Sequence, residues 1–340
     1  DKHCACAPLA DQLVSISTYD IQEHLRLAQD LLAAHNLPAA VLTDAADVGP
    51  TVSAVAEVFS LPACSYQAAC NTRSKATFRR LLCNDLEHPV FATVSKDAYC
   101  CEAWLVWSKK ATRANINVLP VIIKPSDNCA SRGITKATNL EQFEQIWQLA
   151  VDNNPHGHEI VLEERLEGQE YATDWFVTKD TVTYVNGAKR IFGSFGIEQG
   201  HINPAWQQNY IPHDVQQIAE LCARKLGVLG PFKLDWLYDE RYGWCVLEAA
   251  SRWSGGFDHT HSAKIATGRD LIKPLLDYAL GLPVDYTDFA WKITDRYCAV
   301  YAPNTEHLQH CGERKEFYYG IDTSAGGAWC RATQCQETWS

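Results

Sequence analysis

The sequence predicts a mixed α/β (α+β) chain divided into subdomains, and three observations carry that prediction. First, its opening sixty or so residues alternate short apolar runs with amphipathic runs, which is the pattern of a parallel α/β unit. Second, Val118–Lys124 is an apolar run that ends on a lysine and gives way to a loop of small polar residues. Third, two apolar runs, Phe232–Tyr238 and Trp244–Glu248, are joined by the polar turn Asp239–Gly243 and form a hairpin. With 340 residues, 46% of them hydrophobic, the chain can bury two or three cores.

Leu13–Ile16 reads as a short strand, and Asp20 with Glu23 as a capping box that opens a helix. Ile21, Leu25, Ala28, Leu31 and Leu32 fall on one face of that helix. A buried strand is expected at Ala39–Leu42, then a helix from Pro50, a residue suited to a first helical turn. Val52, Val55, Ala56 and Phe59 keep helical spacing there. A helix over Arg73–Leu82 places Lys75 near its start. After the Val118–Lys124 strand and the loop Pro125–Gly133 come a helix at Leu140–Ala150 and strands at Glu159–Glu164 and Tyr171–Thr178. The helix Asp214–Leu226 stops at Gly227, a typical residue just past a helix end. Beyond about Pro283 the chain is rich in Cys, Tyr and Trp, and no element is assigned.

Composition excludes several classes. Net charge is −11 with no basic block, which argues against a nucleic-acid partner. No apolar run approaches about 18 residues, so no membrane-spanning helix is expected. Asp1–Ala10 lacks the charged start and apolar centre of a signal peptide. The fourteen cysteines include the close pairs Cys4/Cys6, Cys100/Cys101 and Cys330/Cys335 but no CxxC, so they read as thiols in a reducing cytoplasm rather than as a zinc site. Methionine is absent.

A Walker loop and a GxGxxG turn are both missing. What stands out instead is Asp235 in Phe-Lys-Leu-Asp-Trp and Glu248 in Cys-Val-Leu-Glu-Ala, on the two strands of the hairpin. Carboxylates that face each other across adjacent strands can share divalent cations, and all-oxygen ligation suits magnesium. Arg252 follows and leads into Trp-Ser-Gly-Gly256, where a guanidinium beside exposed backbone N–H groups could neutralise a phosphate. Taken alone, the same residues also fit a solvent-exposed hairpin with an ordinary ion pair.

Read in order, the pieces resemble the ATP-grasp superfamily, especially its carboxylate–amine ligases. The resemblance spans roughly residues 11–283. It rests on Ala45–Glu57 with Leu61-Pro62, Pro120–Asp127 through Ser131-Arg-Gly133, Leu162–Glu170, Gly230–Asp235, Val246–Gly256 and Ala266–Asp270. It implies an ATP-grasp fold with an N-terminal subdomain over 1–82, a lid over 83–162, a catalytic subdomain over 163–283 and an unassigned segment over 284–340. The family's opening strand and glycine turn are expected to precede Asp1.

The resemblance also implies roles. Lys75 and Lys124 match lysines that contact ATP, and Ser126–Gly133, with Ser131, Arg132 and Gly133, matches a mobile phosphate cover. Glu163, Glu164 and Leu166 match the segment whose backbone holds the adenine edge, and Glu170 matches the carboxylate that holds the ribose. Asp235 and Glu248 match magnesium ligands (manganese as a substitute), and Arg252 matches the arginine that steadies an acyl phosphate. His201, in Glu198-Gln-Gly-His-Ile-Asn-Pro204, matches a segment that lines the cleft, and is equally readable as a structural histidine in a loop. One departure concerns metal number: many members carry Asn two residues after the second carboxylate, whereas this chain has Ala250.

The implied activity is ligation of a small-molecule carboxylate to an amine in the cytoplasm, with ATP and magnesium, no nucleic acid and no membrane. Homodimers are common among similar ligases. Relatives that activate bicarbonate or formate share the pattern, and a nucleotide-binding subunit without turnover is the reading from another class. Lys189 and Arg190 read as a solvated strand edge or as anion ligands. His259 and His261 could project from one side of a strand towards substrate, and Cys129 reads as a small residue in a small-residue loop rather than as a nucleophile.

Overall fold

The computed structural model describes residues 7–129, 131–194, 197–206, 210–256, 258–290, 297–302, 319–321 and 328–334. Its N-terminal part is helical: α1 (Ile21–Ala33), α2 (Gly49–Val58), α3 (Tyr66–Arg73) and α4 (Lys75–Leu82). Asp20 caps α1 as expected, its carboxylate accepting from Glu23 N at 3.1 Å. The helix expected from about Arg73 to Leu82 is α4, which starts two residues later, at Lys75, while Arg73 ends α3. Ser74 is extended (φ −80°, ψ 108°), and its side chain accepts from Thr77 N, so it closes α3 and opens α4 with Lys75 at the first position.

The strands expected at Leu13–Ile16 and Ala39–Leu42 carry no ladder, and so the parallel pair expected of this region is not found among the described residues. A short apolar run becomes a strand only through a pairing neighbour. Leu13, Val14 and Leu42 are 47%, 43% and 38% exposed, with no sheet edge to cover them.

The middle of the chain folds as β1 (Phe91–Ser95), α5 (Cys100–Arg113), β2 (Val121–Pro125), β3 (Thr135–Ala137), α6 (Leu140–Asp152) and β4 (Glu159–Glu164). Its strands form an antiparallel sheet in the order β1-β4-β2-β3. Helices α5 and α6 bury Trp107, Phe143 and Trp147 against Ile123 and Leu162.

The second sheet is larger. Strands β5 (Gly168–Val177), β6 (Val182–Ser194) and β7 (Ile197–Asn203) precede α7 (His213–Leu226), and β8 (Gly230–Asp239) and β9 (Gly243–Ala250) form the expected hairpin. A π-helical turn (Asp258–Ser262), α8 (Ala263–Thr267) and α9 (Ile272–Ala279) follow, then β10 (Tyr297–Ala302), β11 (Tyr319–Ile321) and β12 (Ala328–Gln334). The order is β11-β12-β10-β7-β6-β5-β8-β9, antiparallel throughout, so strands of the unassigned tail extend this sheet. His201 therefore lies on a strand rather than in a loop, and His259 and His261 lie on a helical turn rather than on a strand.

Period-two alternation gives the large sheet two faces. Phe232, Leu234 and Trp236 of β8 pack under α7 with Trp175, Val215, Ala219 and Cys222. Lys233, Asp235 and Leu237 point the other way, into the space beside the small sheet. The α/β class holds, and no described helix is long and apolar enough to cross a membrane.

Candidate active site

A cleft of ≈ 500 Å³ runs between the two sheets and is bounded by Tyr19 and Ala45–Asp47 on the N-terminal side. Lys75, Lys124, Ser131, Glu163, Glu164, Leu166, Glu170, Asp235, Glu248 and Arg252 all line it. Asp235 and Glu248 are directly opposed in the β8–β9 ladder, which bulges immediately after Asp235. Facing residues of an antiparallel pair project to the same side, so the two carboxylates converge.

Cations surround that pair. Lys75 Nζ lies 3.0 Å from Glu248 Oε2 and donates to Asn128 O at 2.7 Å. Lys233 Nζ lies 2.6 Å from Asp235 Oδ2, and Arg190 is 3.7 Å from Asp235 Oδ1 and 3.4 Å from Glu170. Burial and the neighbouring Glu248 raise the Asp235 pKa against the pull of Lys233 and Arg190. Burial also opposes charge on Glu248, but Lys75 and Lys233 outweigh it and hold that carboxyl well below the ordinary range. For Lys75, burial is outweighed by Glu248, and its pKa rises.

A second charged group lies on the small-sheet side. Glu163 Oε2 accepts from Lys124 Nζ at 2.6 Å, and Oε1 from Arg79 Nε at 2.7 Å, with all three side chains buried. Burial resists ionisation of Glu163, yet Arg79 and Lys124 keep its pKa low; burial in turn lowers the pKa of Lys124 despite Glu163. Glu164 is held structurally, accepting from Tyr242 Oη at 2.8 Å and from Val90 N at 3.2 Å. Burial raises Glu170 to about 7, with Arg190 opposing and Asp235, Glu198 and Glu248 adding to the rise.

The loop after β2 is strapped to the helices. Lys75 N donates to Ser126 O at 2.8 Å, Arg73 Nε donates to Asp127 Oδ1 at 2.5 Å, and Asn128 Nδ2 donates to Asn153 O at 2.6 Å. Ser131 reaches the cleft wall, whereas Arg132 is exposed and folds back on Cys129, its NH2 3.0 Å from the sulfur; neither Arg132 nor Gly133 lines the cleft. Arg252 does line it. Its NH1 donates to Trp253 O at 2.8 Å, while its buried Nε makes no hydrogen bond and lies 3.6 Å from Asp47.

His201 is not at the cleft wall. It is buried beside the π-helical turn, Nε2 2.8 Å from Ser262 Oγ and 3.5 Å from Asp258 Oδ1. Asp258 also accepts from Asn186 and Asn203, and Asp174 accepts from Asn186 and from Ser254 N, so this polar network holds the turn that carries Arg252. Burial disfavours charge on His259, but Asp44, 2.5 Å from its Nε2, raises its pKa. A substrate contact from a strand is therefore not the arrangement of His259. Arg79, Asp47 and Lys233 were not singled out by sequence reasoning. Lys233 alone left a signal, because Lys-x-Asp in a strand puts both side chains on one face.

The chemistry of the donor set can be tested against the implied ligands. Among the described residues no group of three or more His, Cys, Asp or Glu is placed to hold a metal unaided. Asp235 Oδ1, however, is buried and lacks a hydrogen-bond partner, which leaves an oxygen ligand open beside Glu248. Two carboxylates completed by phosphate and water oxygens fit a hard divalent cation.

The comparisons with known proteins bear on the fold. Residues 117–257 match the family model of the ATP-grasp domain. The L-amino acid ligase of Bacillus licheniformis superposes with a TM-score of 0.68 at 17% identity, over 93% of this chain and 80% of that one. Phosphoribosylglycinamide synthetase from Anaerococcus prevotii gives 0.67 at 16% identity, over 97% and 85%. The N5-carboxyaminoimidazole synthetase of Staphylococcus aureus, complexed with ADP, gives 0.67 at 16%, over 98% and 85%. No curated protein matches by sequence. At these identities the likeness is one of fold, and the matched ATP-grasp domain spans residues 117–257 of the chain.

Proposed function

We propose that the protein is an ATP-dependent, ADP-forming ligase that activates a carboxylate as an acyl phosphate and couples it to an amine. The supporting observation is the opposition of Asp235 and Glu248 at the floor of a cleft whose walls carry Lys75, Lys124 and Arg252. Five cationic side chains and six carboxyls line that cleft among the described residues. A triphosphate adds only negative charge, so binding one here calls for a divalent cation as well, and Asp235 with Glu248 would hold it. Magnesium bound there would draw charge from the β- and γ-phosphates.

The side chains do the rest. Lys75 at the helix start and Lys124 at the strand end fix the phosphates, and the strapped loop Ser126–Gly133 covers them. Leu166 and the backbone of Glu163 and Glu164 hold the adenine, and Glu170 the ribose. A substrate carboxylate oxygen attacks the γ-phosphorus, ADP departs, and Arg252 balances charge on the acyl phosphate. The amine then displaces phosphate to form the amide. Transfer of this kind needs positioning and electrostatics rather than a protein nucleophile. In this reading residues 83–162 are the lid and 163–283 the catalytic subdomain.

The test is ADP release screened against amino acids and small organic acids, alone and in pairs. Release that requires an acid and an amine together is expected. Release on bicarbonate or formate instead, or thermal stabilisation by ATP with no ADP under any pairing, would overturn the ligase reading.

A further inference from the structure

We propose that Lys233 is a built-in counter-cation that takes the place of a second divalent ion, so that the cleft binds a single metal ion with each nucleotide. The inference rests on the ATP and magnesium reading above and specifies its metal stoichiometry.

The argument starts from the oxygens. A pair of carboxylates serves two metal ions by bridging, with separate oxygens directed to separate ions. Here one oxygen of each carboxylate already lies against an ammonium: Asp235 Oδ2 is 2.6 Å from Lys233 Nζ, and Glu248 Oε2 is 3.0 Å from Lys75 Nζ. The other oxygen of Asp235, Oδ1, is buried, has no hydrogen-bond partner and lies 3.7 Å from the Arg190 guanidinium. With an ammonium against one oxygen of each carboxylate, the pair has fewer oxygens left than two bridged divalent ions would need.

Among the described residues, the ladder partners of Lys233 supply no further ligand. Across the β8–β9 ladder it faces Ala250, a methyl group that offers no oxygen and leaves space for the lysine head. Across the β8–β5 ladder it faces Asp174, whose two oxygens accept from Ser254 N at 2.7 Å and from Asn186 Nδ2 at 3.2 Å. Glu170, the next carboxyl along the cleft, is within 3.4 Å of Arg190. The Lys233 side chain is only 12% exposed, so its charge is delivered into the cleft rather than to solvent. An ammonium is a compact point charge with three donors, able to bind Asp235 and a phosphate oxygen at once.

The experiment is manganese titration of the purified chain with the non-hydrolysable β,γ-imido analogue of ATP, read by electron paramagnetic resonance. Wild type is expected to bind one Mn²⁺ per chain, with the spectrum of an isolated ion. Lys233→Gln removes the ammonium and supplies a carbonyl oxygen opposite Ala250; it is expected to bind two, with exchange-broadened lines. Two coupled ions in the wild type overturn the proposal, and so does a Lys233→Gln variant that melts as wild type does yet still binds one. Absence of nucleotide-dependent Mn²⁺ binding in the wild type would instead remove the parent reading, so the two failures are distinct. The wild-type count stands even where the variant fails to fold.

Discussion

Lys75 Nζ lies 3.0 Å from Glu248 Oε2, joining the first residue of α4 to the middle of β9. The contact closes the cleft floor between the helical N-terminal part and the large sheet. It also sets charge: with Lys75 and Lys233 beside it, Glu248 stays ionised far into the acid range despite burial. A carboxylate that binds a cation at neutral pH must be in that state beforehand.

Glu248→Gln should therefore remove the anionic ligand while its amide oxygen still accepts from Lys75. ADP formation is expected to fall by roughly 10³-fold, a loss typical of deleting one preorganised electrostatic partner. The fold should survive, with a melting temperature within about 2 °C of wild type. Turnover at wild-type level in this variant would refute the metal-ligand assignment.

The buried Arg79–Glu163–Lys124 group makes a stability prediction of a different kind. Glu163→Gln leaves two buried cations without their shared anion, and should cost about 3–5 kcal/mol in urea unfolding. Lys124→Gln leaves Glu163 still paired with Arg79 through two contacts, at 2.7 and 3.4 Å, and should cost less than half as much while weakening nucleotide binding. Because the folded-state pKa of Glu163 is depressed, its contribution is present above the unfolded value of 4.5 and is lost as pH falls through the lower folded value. The gap between wild type and Glu163→Gln should accordingly shrink below pH 4.5. Equal costs for the two substitutions would mean that the group is not the anion-centred cluster its geometry indicates.

How much of this was legible in the sequence follows from what each feature depends on. The β8–β9 hairpin was readable because Phe232, Leu234 and Trp236 alternate with polar neighbours around a short turn, and both signals are local. The cap at Asp20 and the glycine after Leu226 were readable for the same reason; Gly227 has φ 76°. Strands β6 and β7 were not, because register against β5 and β10 decides them and nothing local encodes it. His201 failed on the same ground: its neighbour Ser262 is 61 residues away. The apolar runs at 13–16 and 39–42 misled, since apolarity signals burial or pairing without saying which is available.

Glu170 gives a pH dependence whose sign can be worked out. Its folded pKa is about 7 against 4.5 unfolded, so the folded state keeps a proton that the unfolded chain has released. Its stabilising effect is full below pH 4.5 and is lost as pH rises through the 4.5–7 window. Glu170→Gln mimics the protonated form, so the nucleotide-free variant should match wild type at pH 4 and exceed it at pH 8. The excess should be about 1 kcal/mol, the full shift being discounted because the side chain is 27% exposed. Denaturant melts at the two pH values provide the check, and a variant less stable than wild type at pH 8 would contradict the burial argument.

Gly168 opens β5 two residues before Glu170, and a Cβ there would lie 1.8 Å from the backbone oxygen of Tyr238 on β8. A backbone atom cannot swing aside, so Gly168→Ala must separate or shift the β5–β8 ladder. That ladder fixes Glu170 opposite Leu237 and Asp235 opposite Ala172, and hence the spacing between the carboxyl proposed to hold the ribose and the carboxylate proposed to hold the metal. The substitution should cost about 3 kcal/mol, at the upper end for overpacking, and should weaken binding of the ATP analogue as well. Gly243→Ala is the matched control: the residue sits at the start of β9 with φ 73°, and nothing lies within 4 Å of its added methyl group. It should pay only the left-handed backbone cost of about 1 kcal/mol and leave nucleotide affinity unchanged. If both glycines tolerated alanine equally, the cleft would not depend on the tight β5–β8 approach at Gly168, and the carboxyl spacing would have to be set from elsewhere in the sheet.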